Sequence, residues 1–122
     1  MRRQYDLEQR LVDFAVSVME LAEALPRNRA GLHIADQLLR AGTSPASNYA
    51  EAQSAESRKD FVHKLKIALK ELRETRVWLL IVLRRGYVRS PENMQEFSTN
   101  VSSLFASSPR ALRLRRRTEP GK

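Results

Sequence analysis

The chain has 122 residues and a mass of 14.0 kDa, enough for one domain, and its 42% hydrophobic content supports a real core. With 30% charged residues and a net charge of +8 it favours anionic partners: nucleic acid, an anionic membrane surface or an acidic protein. The absence of cysteine excludes disulfides, zinc–thiolate sites and thiol nucleophiles, and only four Gly and five Pro disfavour a turn-rich β protein.

No signal-peptide pattern opens the chain, and no apolar run approaches the roughly 18 residues of a membrane span. The longest covers residues 77–83. A soluble, cytoplasmic protein is expected.

In chain order, Asp6 is placed to cap a first helix, with Gln9 three residues on in capping-box register. Leu7, Leu11, Phe14, Val18, Leu21 and Leu25 follow at spacings of four and three, the seam of a bundle helix, and Pro26 ends it. A second helix is expected over residues 28–53. Its weak point is residues 41–45, where Pro45 removes a backbone donor and crowds the carbonyl of Ala41, so a kink is expected near Gly42 and Pro45. Ser57 with Asp60 caps a third helix, which carries the seam Phe61, Leu65, Ala68, Leu72, Thr75, Leu79 and Val82 and stops at Gly86. Ser90, Pro91 and Glu92 start a fourth, with a weaker seam of Met94, Phe97, Val101, Leu104 and Ser108. These four helices, joined by short connections, predict an all-α, antiparallel up-down-up-down four-helix bundle over residues 1–108. Residues 109–122 form an Arg-rich tail expected to be disordered, with Arg110, Arg113, Arg115, Arg116, Arg117 and Lys122 against a single acid, Glu119.

Two helices carry more apolar surface than one seam requires. Val12, Val16 and Met19 lie on a second face of the first helix, and residues 77–83, which include Trp78, Leu80 and Ile81, are apolar all round the third. The first helix is acidic (five acids and one Arg over residues 6–25), whereas the third holds nine Lys or Arg against three acids over residues 57–86. Oppositely charged helices of adjacent subunits can therefore meet, and a homo-oligomer is expected. The alternative is that the fourth helix covers this surface within one chain.

The third helix also concentrates charge. Lys59, His63, Lys66, Lys70 and Arg73 fall in one narrow wedge opposite the seam, with cations repeating each turn as following a phosphate backbone requires. Three readings fit this stripe: a solvated face, an inter-subunit ion-pair face and a nucleic-acid contact. Asp60, Glu71 and Glu74 flank and dilute it. The tail arginines suit RNA, DNA or anionic lipid equally, or a solubilising tail without a dedicated partner. Aromatic stacking platforms are missing, so any binding should depend on charge and shape with little base preference.

The run Arg29-Ala30-Gly31, Ile34-Ala35, Gln37-Leu38-Leu39-Arg40-Ala41-Gly42-Thr43-Ser44 resembles the second helix of the bacterial four-helix bundle protein family. So do Asn48-Tyr49, Glu51-Ala52, Ala55-Glu56-Ser57, Asp60-Phe61, Lys64-Leu65, Ile67-Ala68-Leu69-Lys70-Glu71, Arg73-Glu74-Thr75 and Trp78-Leu79. These are products of intervening sequences inside large-subunit ribosomal RNA genes, and the accessory variability determinant of diversity-generating retroelements is similar. The resemblance covers residues 6–88. It implies a homopentameric barrel, nucleic-acid binding through basic surfaces with RNA favoured, and a reverse transcriptase or other protein as a possible partner. Pro45 stands where the family has a small or aliphatic residue, and the Arg-rich tail lies outside the shared pattern. Arg40, Asn48, Glu51, Glu71 and Glu74 match the family's polar positions. There they fit a structural polar network that fixes helix register, or a site lining the oligomer's channel.

Enzymatic readings have little behind them. The chain has no Gly-rich phosphate loop, Glu-x-x-His pair or cysteine. Arg27 and Asn28 before His33, and Arg58 before His63, superficially fit the Arg-polar-x-His pattern of toxin-type ribonucleases; among 22 basic residues such coincidences are expected by chance. His33 with Asp36 or Gln37 offers too few ligands for a metal. The expectation is a non-enzymatic, oligomeric, nucleic-acid-binding accessory protein without metal or cofactor. The alternative is a protein-interaction scaffold whose basic face serves subunit or partner-protein contacts.

Overall fold

The computed structural model describes residues 2–88, with side chains from Leu7 onward. They form three helices, α1 (Arg2–Ala24), α2 (Arg29–Gln53) and α3 (Arg58–Arg85), and no strand is found among the described residues. The expected fourth helix and the Arg-rich tail lie outside them, as do the tail arginines named as binding candidates.

Local chemistry sets most of the boundaries. The Asn28 side chain accepts the Gly31 amide at 2.8 Å and opens α2, and the Ser57 hydroxyl accepts the Asp60 amide at 3.0 Å and opens α3. Gly86, at φ 80°, closes α3 in the left-handed conformation that glycine adopts without steric cost. Its amide donates to Leu83 at 3.1 Å and that of Tyr87 to Val82 at 3.2 Å. The start of α1 differs from expectation. The helix begins at Arg2, so Asp6 lies within it and is not its cap.

Helix α2 runs through Pro45 as one helix, over the span expected of it. Pro45 is fully buried, so packing on the neighbouring helices holds the segment helical despite the missing amide donor. Three side chains turn back onto the helix on either side of it. Thr43 donates to the Leu39 carbonyl at 2.6 Å, and Ser47 and Asn48 both donate to that of Ser44, at 3.0 and 3.1 Å.

Packing places α2 between the other two helices, in contact with both. Connections of four residues at 25–28 and 54–57 leave each successive pair antiparallel. For α2 and α3, contacts confirm this as they step away from the turn at 54–57: Glu51 to Lys64, then Arg40 to Glu71 and Glu74, then His33 to Trp78. The seams expected on α1 and α3 are the core. Leu11, Phe14 and Val18 of α1 meet Leu38 and Tyr49 of α2 and Leu65, Leu72, Leu79 and Val82 of α3, all buried. Thr75, fully buried within the α3 seam, donates its hydroxyl to the Glu71 carbonyl at 2.8 Å and leaves no orphaned polar group. α1 and α2 pack tightly at Gly42, where an added methyl would lie 2.5 Å from Val18 Cγ1.

Candidate nucleic-acid interface

The α3 seam fixes where its opposite side points. With Leu65, Leu72 and Leu79 turned into the core, Lys59, His63, Lys66, Lys70 and Arg73 all emerge exposed. They make a straight row about 21 Å long at 1.5 Å per residue. Among the described residues no carboxylate pairs with Lys59, His63, Lys66 or Lys70.

The acids that share the helix with this row are turned elsewhere. Arg40, reaching across from α2, donates to Glu71 Oε1 at 3.1 Å and to Glu74 Oε2, and holds Gln37 at 3.1 Å. The Trp78 indole N–H also donates to Glu74, at 3.1 Å, and the Trp78 ring meets His33 edge-on with centroids 5.8 Å apart. The Glu71 side chain is only 12% exposed, so its charge is spent on Arg40 along the α2–α3 seam. Asp60 is half-buried in the first turn of α3. The expected dilution of the row by Glu71 and Glu74 is thereby reduced.

The five residues matched as a polar network separate into three groups. Arg40, Glu71 and Glu74 form one cluster, joined by Gln37 and Trp78. Asn48 bonds locally to Ser44, while Glu51 accepts from Lys64 at 2.7 Å. That bond, with the Glu51 charge, raises the pKa of Lys64 above its ordinary value. Sequence reasoning left out Lys64 and Gln37 as partners. The antiparallel register that sets Glu51 opposite Lys64 was the available signal.

Of the residues assigned to a subunit contact, Val12, Val16, Met19, Leu80 and Ile81 are exposed, between 36% and 48%. Trp78 is half-buried; its indole N–H bonds within α3 to Glu74, and its ring meets His33 of α2. Asp13 and Glu20 of α1 are also exposed; the side chain of Asp6 lies outside the described residues. No group of three or more metal-ligating side chains occurs among the described residues, and none of their helices is long and apolar enough to cross a membrane.

Residues 3–106 match the family described as 23S rRNA-intervening sequence protein. A crystal structure of a protein of unknown function from the S23 ribosomal protein family of Bacteroides thetaiotaomicron is similar, with a TM-score of 0.74 and 34% identity. The match covers 80% of this chain and 90% of that one. No curated protein matches the chain.

Proposed function

The chain belongs to the 23S rRNA-intervening sequence protein family, and from that premise we propose that it is a non-enzymatic RNA-binding accessory protein. Lys59, Lys66, Lys70 and Arg73 are its phosphate-contacting groups, with His63 beside them in the same row. The observation that carries this reading is the exposed row on α3, whose neighbouring acids Glu71 and Glu74 are drawn off by Arg40. The row has no aromatic platform, so its ligand is structured RNA read by charge and shape. The arginines of the tail extend the same contact. In this reading residues 91–108 supply a fourth helix to the bundle, and the protein acts in the cytoplasm as a homo-oligomer, a pentamer by family resemblance, with no cofactor.

The test is a salt titration of binding to a structured RNA, parent against Lys59→Gln, Lys66→Gln, Lys70→Gln together. Each phosphate contact contributes about 0.7–0.9 to the slope of log affinity against log salt, so the triple variant should bind more weakly and lose about 2–3 units of slope. Equal affinity with an unchanged slope removes the row as the contact.

The exposed apolar residues on α1 and α3 favour a second reading, a scaffold whose basic face meets protein. It predicts that the parent, stripped of co-purified nucleic acid, binds RNA no better than the triple variant does.

A further inference from the structure

The contacts that bridge α2 and α3 join complementary groups: Glu51 with Lys64, Arg40 with Glu71 and Glu74, and the His33 ring with Trp78. Past that ring pair the pattern breaks. One turn beyond His33, on the same face of α2, stands Arg29; two turns beyond Trp78, on the same face of α3, stands Arg85. They lie about 6 Å and about 10 Å further along their axes, so the antiparallel register brings two cations to one end of one seam. Arg27, in the turn before α2, and Arg84, beside Arg85, are at the same end. All four are exposed, and among the described residues no carboxylate pairs with any of them. Arg85 lies over the Tyr87 ring, 4.9 Å from its centroid. Two cations suit the last turn of α3, the negative end of its dipole. The first turn of α2 is the opposite case: its dipole favours an acid, yet the turn has none and begins with Arg29. Glu20 and Glu23, near the end of α1, do not pair with these arginines. The free protein thus keeps like charges together at this end, a cost that a compact anion removes.

We propose that Arg29 and Arg85, flanked by Arg27 and Arg84, form a site for a phosphate monoester, the group that stands at a phosphorylated RNA end. A monoester carries a charge of about −1.5 to −2 at pH 7, against the single charge of an internal diester, and its oxygens accept the paired N–H groups of guanidinium forks. The row on α3 is built mainly from lysines, point charges spread along the helix as successive diesters require. The end is all arginine, gathered in one place. As a holder of RNA ends the site rests on the RNA-binding reading above and adds which part of the strand it takes. The same chemistry accepts a free nucleoside monophosphate.

The test measures binding of one hairpin RNA in three forms: 5′-phosphate, 3′-phosphate and hydroxyl at both ends. Calorimetry with uridine 5′-monophosphate against uridine runs beside it. The full chain is compared with the double variant Arg29→Gln, Arg85→Gln and with the triple variant of Lys59, Lys66 and Lys70. The parent should prefer one phosphorylated hairpin over the hydroxyl form about tenfold, as charge-assisted hydrogen bonds to one group allow. The double variant should lose that preference and bind the hydroxyl hairpin nearly as the parent does. The triple variant should bind all three forms more weakly and keep the preference. A parent that binds the hairpins without preference and takes up no monophosphate overturns the site and leaves the row untouched as the RNA contact. A preference that survives in the double variant also overturns it. Monophosphate uptake that needs the two arginines, without any end preference, keeps the site and assigns it to the free ligand. A parent that binds no hairpin overturns the RNA reading. The monophosphate then decides the site alone, upheld if the double variant abolishes uptake and overturned if uptake is absent or unchanged. Should the double variant lose its helical signal in circular dichroism, Arg29→Gln alone, which leaves Arg85 on Tyr87, replaces it under the same criteria.

Discussion

Two buried positions set the tolerances of the described bundle. Gly42 lets α1 and α2 approach until Val18, itself fully buried, occupies the space a methyl would need. Gly42→Ala gains up to about 1 kcal/mol in helix propensity but overpacks a side chain with nowhere to go, so a net loss of about 1–2 kcal/mol is expected. Urea unfolding measures it, and Val18→Ala in the same chain should relieve the clash so that the two costs do not add. Tyr49 links stability to alkaline pH. Its burial raises the phenol's pKa above 10.0, with the Glu8 charge adding to the rise and a hydrogen bond to Gln53 opposing it. The folded state therefore holds this proton more tightly than the unfolded chain does. The resulting stability is complete below pH 10 and lost as pH climbs through the raised value. Lys64, raised by Glu51, loses its contribution in the same direction. Tyr49→Phe should flatten part of the stability loss between pH 9 and 11 in a series of thermal melts.

On the scale of elements, the α2–α3 pair decides both register and charge. Arg40→Leu leaves Glu71, largely buried, without its partner and frees Glu74 from one of its two donors. Arg40 is half exposed, so water replaces part of the lost interaction and a cost of about 1 kcal/mol is expected. Fluorescence of Trp78, the chain's single tryptophan, follows the unfolding. The same variant should weaken RNA binding although Arg40 is not on the row, because two released carboxylates lie on the helix that carries it.

These elements were unequally legible. The caps Ser57 and Gly86, the seams and the exposure of the cationic row follow from spacing within one helix, which a sequence displays directly. The start of α1 was misread because Asp6 suits a cap, yet the four residues before it extend the helix. The approach of Gly42 to Val18 and the pairing of Glu51 with Lys64 depend on how two helices are rotated against each other. No periodicity within a single helix encodes that rotation. The same holds for the polar residues grouped from family resemblance, which occupy similar faces but find different partners.

For the whole molecule, charge is the dominant unspent quantity. A net of +8 on 122 residues repels itself in dilute buffer. The ion pairs of Arg40 with Glu71 and Glu74 and of Lys64 with Glu51 are partly exposed and offset little of this. Raising sodium chloride from 20 to 200 mM should therefore raise the melting temperature while it weakens RNA binding, since screening relieves repulsion and removes counterion release together. Differential scanning fluorimetry and filter binding at matched salt read the two trends.

The position of α2 between its neighbours bears on how this protein breathes. Backbone amides on its inward side can reach solvent only when α1 or α3 detaches, whereas either outer helix can fray while the remaining pair stays docked. In deuterated buffer the amides around Leu38 and Ala41 should be the last to exchange, on the timescale of global opening, and those of both outer helices should exchange sooner.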